Sequence, residues 1–275
     1  MGVCVYQLKD KVAVVTGAGS GIGRALAQLL AAKGCRLALA DINEQGLAGT
    51  VAMLKTEVIA QKLDVADRAA VYAFAGAVKA KFGTAHVVIN NAGVAVSQTV
   101  NDLTWEDFEW LMGINFWGVT YGTKAFLPMM LAQNEGVMVN ISSVFGIIAV
   151  PTQSAYNAAK FAVRGFTEAL RHELKDTQVK AICVHPGGIK TNIAAASRFY
   201  KDPMGGKNRK EAAERFSRLA RTTPEQAAIT IVNGIERGSG RVLIGTDAYF
   251  IDWIQRLMPV RYNNFMNWLM QRLAK

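Results

Sequence analysis

Short apolar segments alternate along this chain with longer segments of helical period, and this alternation constrains its fold more than any other feature. Val12-Ala13-Val14-Val15 and Val87-Val88-Ile89 are apolar at every position, which is typical of strands buried on both faces of a parallel sheet. Parallel neighbours need crossover connections, and the intervening segments are long enough to be helices. The predicted strands are residues 12–16, 37–40, 58–63, 87–90, 137–142, 179–185 and 241–244.

The sequence therefore predicts an α/β fold, a doubly wound (Rossmann) parallel sheet of about seven strands with helices on both faces. Because no repeat or linker-like tract precedes residue 190, we predict one domain over residues 1–275 with its core at 8–191. Residues 192–222 are polar and basic, which favours an excursion or lid. Thr223-Pro224-Glu225-Gln226 matches a capping box that opens a helix, and residues 248–275 are predicted to form an amphipathic helical extension.

Composition excludes several classes of protein. With 51% hydrophobic and 19% charged residues, the chain is neither disordered nor of low complexity. Cys4, Cys35 and Cys183 lack CxxC spacing, so they indicate neither a disulfide framework nor a zinc site. Neither a signal-peptide pattern nor a membrane-spanning apolar run is found. We expect a cytoplasmic protein, soluble or peripheral at a membrane.

A glycine-rich turn, Thr16-Gly-Ala-Gly-Ser-Gly-Ile-Gly23, follows the first predicted strand and opens a helical segment. Its glycines let the backbone approach a pyrophosphate, which free N–H groups at a helix N-terminus can bind. A ligand-free turn is the alternative. Asp41 lies 18 residues after Gly23, where a carboxylate can accept both ribose hydroxyls and repel a 2′-phosphate. Ser20 and Ile42 are not basic, so the turn favours NAD over NADP.

Tyr156 and Lys160 are four residues apart within residues 152–175, a segment of helical period, so their side chains share one face. A nearby ammonium stabilises a phenolate, and lowering a tyrosine pKa from about 10 to about 7 takes about 4 kcal/mol. By itself this spacing is common on ordinary helices. Ser143 precedes Tyr156 by 13 residues, just after the fifth predicted strand, and Asn90-Asn91-Ala92-Gly93 ends the fourth.

Over residues 8–247 the chain resembles the short-chain dehydrogenase/reductase family. The matching motifs are Thr16-Gly-x-x-x-Gly-x-Gly, Asp64-Val65, Asn90-Asn91-Ala92-Gly93, Asn115, Ser143, Tyr156-x-x-x-Lys160 and Pro186-Gly187 with Thr191. The resemblance implies that Tyr156 is the general acid/base and that Lys160 lowers its pKa and holds the nicotinamide ribose. Ser143 would hydrogen-bond the substrate oxygen, and Asn115 would hold a water of the proton relay.

The resemblance also implies a cofactor site. Its residues would be Gly17, Ser20, Gly21, Ile22, Gly23, Asp41, Asp64, Val65, Asn91, Ala92, Gly93, Tyr156, Lys160, Pro186, Gly187, Ile189 and Thr191. Ser142 competes with Ser143, but an extended backbone would direct Ser142 to the opposite face. No metal site is predicted, because the histidines His86, His172 and His185 lack metal-ligand spacing.

The predicted function is NAD(H)-dependent interconversion of a secondary alcohol and a ketone, on a hydrophobic, lipid- or steroid-like substrate. The alternatives are an NADP(H)-dependent carbonyl reductase and a nucleotide-binding scaffold without turnover. We expect a homodimer or homotetramer formed through the long helices. The net charge of +10 is concentrated in residues 198–275, but no nucleic-acid motif accompanies it, so no nucleic-acid partner is predicted.

Aromatic and aliphatic residues recur at helical spacing near the end of the sequence. They are Tyr249, Phe250, Trp253, Ile254, Leu257 and Met258, followed by Phe265, Met266, Trp268, Leu269 and Leu273. Packing against the protein body or a partner subunit is one explanation. Peripheral contact with an anionic membrane is the other, since cations are interspersed among the apolar side chains.

Overall fold

A computed structural model describes residues 6–202 and 205–265. Seven strands form one parallel sheet: Val12–Thr16 (β1), Arg36–Asp41 (β2), Val58–Lys62 (β3), Val87–Asn90 (β4), Gly136–Ile141 (β6), Val179–Pro186 (β7) and Arg241–Ile244 (β9). Their order is β3-β2-β1-β4-β6-β7-β9. The chain reverses direction across the sheet between β1 and β4, where doubly wound folds bind ligands at the carboxyl ends of the strands. The predicted fold class is confirmed.

The helices connect these strands. They are Gly21–Ala32 (α1), Glu44–Val51 (α2), Arg68–Phe82 (α3), Trp105–Met112 (α4), Gly118–Ala132 (α5), Ser154–Glu173 (α6), Arg209–Leu219 (α7), Pro224–Glu236 (α8) and Thr246–Leu257 (α9). A π-helical turn, Gly113–Trp117, joins α4 to α5, and a 3-10 turn, Val144–Gly146, follows β6. The capping box of Thr223 and Gln226 opens α8 as predicted, with Pro224 in its first turn.

Helices cover both faces of the sheet. On one face, Leu26 of α1 and Ile231 of α8 join the inward side chains of the strands in one apolar cluster. On the other face, Phe74 of α3, Phe126 of α5 and Leu170 of α6 form a second cluster. Burial on both sides explains why all five residues of β1 are buried and why Val12 to Val15 are all apolar.

One structural feature was missed by the sequence analysis. Val96–Ser97 (β5) pairs in parallel with Arg198–Phe199 (β8), which ties the excursion after β7 to the segment after β4. Two-residue strands are too short to carry a detectable period. The excursion itself contains helix α7, whose side chains are all at least partly exposed.

The C-terminal pattern is partly visible. Its first half forms α9, as predicted, whereas Met266, Trp268, Leu269 and Leu273 lie outside the described residues, as does Cys4. Cys35 and Cys183 are free thiols in the core. Within residues 6–202 and 205–265, none of the helices has both the length and the apolar character needed to cross a membrane.

Candidate active site

The glycine-rich turn between β1 and α1 is tightly folded. Gly17 has a φ of +66°, and a Cβ there would lie 2.9 Å from Cα of Ala92. A Cβ on Gly23 would overlap the carbonyl oxygen of Gly17 and lie 2.8 Å from Nδ2 of Asn91. Side chains are therefore excluded at Gly17 and Gly23 on steric grounds, which leaves the backbone there accessible to a ligand.

The N-terminus of α1 is left uncapped. Ser20 makes no side-chain capping hydrogen bond, and the first turn contains no acidic residue. Five other helices are capped by a side chain, from Asn43, Asp67, Thr104, Asn208 or Thr223, whereas α5, α6 and α9 also lack such a cap. Unsatisfied N–H groups and the positive end of the helix dipole suit a pyrophosphate. The turn and the helix therefore fit the phosphates of a dinucleotide.

Asp41 lies at the end of β2, beside the turn. Its two carboxylate oxygens accept hydrogen bonds from the N–H groups of Gly19 and Asn43, both at 2.8 Å. The nearby guanidinium of Arg24 is engaged elsewhere: it donates to the carbonyl oxygens of Gly19 and Gly46 and to the hydroxyl of Thr50. The sequence analysis did not identify this role of Arg24, because only tertiary contacts reveal it.

The loop after β4 locks the glycine-rich turn in place. The side chain of Asn91 donates to the carbonyl oxygen of Thr16 at 2.9 Å, and its N–H donates to the Thr16 hydroxyl at 3.0 Å. Two residues further on, Gly93 lies against Oδ1 of Asn115 and Nζ of Lys160. This loop thus connects the turn to two of the predicted catalytic residues.

Asn115 lies in the π-helical turn and is fully buried. Its amide makes both hydrogen bonds to the backbone of Val94: Oδ1 accepts from the N–H at 2.8 Å and Nδ2 donates to the carbonyl at 2.9 Å. π-helical turns within helices are frequent at functional sites. The side chain of Asn115 therefore positions the loop after β4.

The two serines after β6 point in different directions. The hydroxyl of Ser142 donates to the carbonyl oxygen of Lys160 at 2.8 Å, so it ties β6 to α6. The hydroxyl of Ser143 accepts the N–H of Phe145 at 3.1 Å and lies near the side chain of Tyr156, whose pKa it lowers. Ser143 and Tyr156 are thereby brought together, whereas Ser142 is not.

Tyr156 and Lys160 share one face of α6, as their spacing predicts. Nζ of Lys160 lies 5.5 Å from the centre of the Tyr156 ring and donates to the carbonyl oxygen of Ile141 at 2.9 Å. Burial raises the pKa of Tyr156 to about 12, and the nearby hydroxyl of Ser143 opposes this rise. Burial lowers the pKa of Lys160 to about 8. In the cofactor-free site both effects favour the neutral forms.

The remaining predicted cofactor residues lie at the same edge of the sheet but differ in orientation. The side chain of Thr191 borders Gly21. In contrast, the side chains of Val65 and Ile189 are buried in the apolar clusters, so only their backbones can reach a ligand. The carboxylate of Asp64 accepts the N–H of Ala66 at 2.9 Å and is exposed.

Asp247 in the first turn of α9 was also missed. Its carboxylate accepts the N–H of Gly188 at 2.6 Å and lies directly against Gly187. This hydrogen bond and contact therefore fix the position of the Pro186-Gly187 segment relative to α9. An acidic residue in the first turn of a helix is so common that the sequence offered no specific signal for this role.

His185 on β7 supports Ser143 from beneath. Its ring is fully buried, and Nδ1 lies 2.9 Å from the carbonyl oxygen of Ser143. Nε2 has no hydrogen-bond partner among the described residues. Burial lowers the pKa of His185 to about 4, so the ring is neutral in the folded protein at neutral pH. We interpret Nδ1 as the protonated nitrogen, since the carbonyl can only accept.

The lowered pKa of His185 predicts a pH dependence of stability. Above about pH 6.5 the imidazole is neutral in both states, whereas between about pH 6.5 and 4 only the unfolded chain binds the proton. The free energy of unfolding should therefore fall by about 3 kcal/mol across this range. Denaturant titrations of wild type and His185→Asn measure it. The substitution His172→Asn, at an exposed histidine, is the matched control and should leave the pH dependence of the free energy of unfolding as in wild type. An equal pH dependence in all three proteins would contradict the prediction.

Comparison with known proteins identifies the family. The family model for short chain dehydrogenases matches residues 11–201, more than half of the chain. This chain is a short-chain dehydrogenase/reductase. The protein SadH of Mycobacterium tuberculosis, named as an oxidoreductase, is 52% identical over 266 residues, which cover 94% of this chain and 95% of SadH.

Solved structures agree with this assignment. A short-chain dehydrogenase/reductase from Burkholderia phymatum in complex with NAD superposes with a TM-score of 0.84 at 32% identity, covering 92% of this chain and 95% of the other. Levodione reductase superposes with a TM-score of 0.79 at 29% identity, covering 88% and 98% of the two chains. The short-chain dehydrogenase/reductase described here is thus an oxidoreductase with a nicotinamide cofactor, which the uncapped α1 and its glycine-rich turn fit.

Proposed function

We propose that this short-chain dehydrogenase/reductase interconverts a secondary alcohol and a ketone with NAD(H), on a hydrophobic substrate. The observation that carries the proposal is the contact between Ser143 and Tyr156, with Lys160 on the same helix face, beside a glycine-rich turn fitted to a dinucleotide. These groups lie at the carboxyl edge of the sheet, where the loops after β1, β4, β6 and β7 converge.

Tyr156 is the proposed general acid/base. In the oxidative direction its phenolate oxygen takes the hydroxyl proton of the alcohol; in reduction its hydroxyl returns a proton to the ketone oxygen. The hydroxyl of Ser143 holds the substrate oxygen beside Tyr156. When bound, the oxidised nicotinamide accepts a hydride from the carbinol carbon and its positive charge favours the phenolate.

Lys160 and Asn115 complete the proposed set. The ammonium of Lys160 lies close enough to the ring of Tyr156 to stabilise a phenolate, and below about pH 8 the ammonium form predominates. Because the Asn115 amide is fixed by two hydrogen bonds to the backbone of Val94, we assign the relay water to the main chain of Asn115. A proton could then leave Tyr156 towards solvent past Lys160.

The preference for NAD is proposed from the surroundings of β2. The carboxylate of Asp41 is held by two backbone N–H groups at the ribose end of the turn and would repel a 2′-phosphate. The Nε and Nη2 groups of Arg24 donate to three protein oxygens, which holds this guanidinium against the turn and helix α2. Ile42, the next residue after Asp41, is exposed and apolar.

A hydrophobic substrate is proposed from the side chains around Tyr156. Its ring packs edge-to-face on the half-buried ring of Phe145 at 6.1 Å, and it borders an apolar cluster that includes Val96 and Leu111. Apolar walls around a few convergent polar groups are typical of sites that bind small apolar ligands. The segment that contains α7 would close such a site, since β8 pairs with β5.

Quaternary structure and location are part of the same proposal. Exposed apolar residues on α4, α5 and α6 and the turn between them, including Trp105, Trp117 and Phe161, support a homodimer or homotetramer through these helices. We propose a single domain that acts in the cytoplasm, with its C-terminal extension in contact with a membrane where lipophilic substrates concentrate.

Absorbance of reduced nicotinamide tests the proposed function. The purified protein is supplied with NAD or NADP and with secondary alcohols graded from short chains to steroids and long-chain lipids. We expect turnover with NAD, and kcat/KM should rise up to about fourfold per added methylene that becomes buried. Turnover with NADP alone would contradict the role of Asp41. Tight NAD binding without oxidation of any alcohol would instead support the scaffold alternative.

A further inference from the structure

The outward face of α9 and the turn after it carry a continuous apolar stripe. Tyr249, Phe250, Trp253, Leu257 and Val260 recur at helical spacing, and we call these five residues the outer stripe. All five are exposed, Trp253 by 67% and Leu257 by 63%. Soluble proteins rarely leave large contiguous apolar surfaces in water unless a partner or a membrane covers them. The outer stripe therefore marks a contact surface.

The opposite side of α9 fixes its orientation. Ala248 and Ile254 are buried against the protein body. Asp252 forms ion pairs with Arg241 at 2.6 Å and with Arg256 at 3.0 Å, and the first of these pairs links α9 to β9. Because these contacts hold the helix, the outer stripe faces solvent as a consequence of the fold.

Positive charge accompanies the outer stripe. Arg256 lies within it and Arg261 follows it, and both are exposed. The two acidic residues between positions 246 and 265 are already engaged: Asp247 accepts the N–H of Gly188, and Asp252 is paired with arginines. This face therefore combines large apolar side chains with cations, and of its two carboxylates one is bonded to the Gly188 N–H and the other is paired with arginines.

The charge of the surrounding chain has the same sign. Residues 198–275 contain 14 basic and 7 acidic side chains, an excess of 14 − 7 = 7, within a net charge of +10 for the whole chain. Anionic lipid surfaces attract basic segments. Tyrosine and tryptophan side chains suit the headgroup region, because each combines an apolar ring with a polar O–H or N–H group.

We propose that the outer stripe docks the enzyme on an anionic phospholipid bilayer, with α9 lying in the plane of the headgroups. A second copy of the chain fits this face less well. A two-fold contact through the outer stripe would bring Arg261 of both copies together, and Asp252, the carboxylate on this helix that pairs with arginines, is already shared by Arg241 and Arg256.

The docking surface is joined to both sides of the active site. Asp247 accepts the N–H of Gly188, beside the Pro186-Gly187 segment, and the hydroxyl of Tyr262 accepts the N–H of Ala149 at 3.0 Å. Ala149 lies six residues after Ser143. A lipophilic alcohol dissolved in the bilayer would thus enter beside the catalytic groups. Only this delivery step rests on the proposed function; docking itself does not.

Vesicle flotation of the full chain tests the docking. The probes are phosphatidylcholine vesicles and vesicles with 30% phosphatidylglycerol. The test variant is W253Q/L257Q. The matched control is M53Q/V100Q, which removes two exposed apolar residues outside the outer stripe and outside the proposed oligomer contact, Met53 and Val100. We expect wild type and control to float with the anionic vesicles, and W253Q/L257Q to bind about tenfold or more weakly because two apolar side chains no longer enter the lipid.

Salt and activity separate the possible outcomes. Raising salt shortens the screening length from about 8 Å at 0.15 M to about 3 Å at 1 M, so binding should weaken. With a short, water-soluble alcohol, W253Q/L257Q should turn over like wild type, which distinguishes loss of docking from loss of catalysis. If the wild-type protein does not float with the anionic vesicles, the proposal is wrong. A change of oligomeric state in W253Q/L257Q with unaltered flotation would also overturn the proposal, and would assign the outer stripe to a second copy.

Discussion

Replacing Tyr156 with phenylalanine is expected to lower turnover by about 10²- to 10⁴-fold, the range in which a positioned proton donor or acceptor contributes to catalysis. The phenyl ring keeps the packing on Phe145, since only the hydroxyl is removed. Nucleotide binding should therefore stay within a few-fold of wild type. Steady-state kinetics and fluorescence titration with NAD measure the two effects separately.

The matched control for this substitution is Tyr72→Phe, on the exposed outer side of α3. It makes the same chemical change away from the site and should leave both measurements unchanged. A Tyr156→Phe protein with full activity would remove Tyr156 from the mechanism. Equal loss of turnover and of NAD binding would instead indicate a structural role.

The raised pKa of Tyr156 adds a pH dependence to this prediction. Burial favours the protonated phenol, with a pKa of about 12 in the cofactor-free site, so the proton-accepting form is scarce at neutral pH. Alcohol oxidation should accelerate as pH rises, whereas ketone reduction, which needs the protonated form, should not. Rates measured in both directions between about pH 6 and 10 check this sign.

Gly23→Ala is expected to be the most damaging substitution of a small residue. The new Cβ would overlap the carbonyl oxygen of Gly17. The Cβ is bonded directly to the backbone of residue 23 and the oxygen is part of the backbone of Gly17, so neither atom can move away without distorting the turn. Overpacking of this kind typically costs about 1–3 kcal/mol. We expect a corresponding fall in the free energy of unfolding and a loss of NAD binding. Denaturant titration and nucleotide titration measure these effects.

Gly76→Ala offers an internal control of opposite sign. Gly76 lies within α3, is exposed, and has no atom within 4 Å of the position of its Cβ. Alanine is favoured over glycine inside helices by up to about 1 kcal/mol, so this variant should be more stable than wild type. If Gly23→Ala were equally stable and still bound NAD, the steric account of the glycine-rich turn would be wrong.

Local patterns in the sequence were sufficient to predict the architecture. Strands such as β1 and β4 are apolar on both faces, and helix α8 begins at a capping box that the sequence spells out in four consecutive residues. The pair β5 and β8 was missed, because two residues define no period and the partners lie about a hundred residues apart. The sequence could not indicate that pairing.

Roles of residues that depend on partners distant in the chain were harder to predict from the sequence. The sequence placed Asn115 by motif, but only the structure shows that its amide makes two hydrogen bonds to the backbone of Val94. His185 was treated as an ordinary histidine, although it lies beneath the carbonyl of Ser143. Asp247 gave no specific signal because acidic residues at helix starts are common.

The amino-acid sequence by itself determined the α/β class, the order along the chain of the motifs that follow the strands, and the residue types available for chemistry. These follow from the local period of apolar residues, the spacing of glycines and the four-residue spacing of side chains on one helix face. Only the tertiary structure decided that the hydroxyl of Ser143, and not that of Ser142, lies near Tyr156. It also decided that Arg24 donates to oxygens of the turn and of α2, and that the outer stripe of α9 faces solvent. Each of these is a contact between segments remote in the chain, and its geometry is set by packing across the sheet.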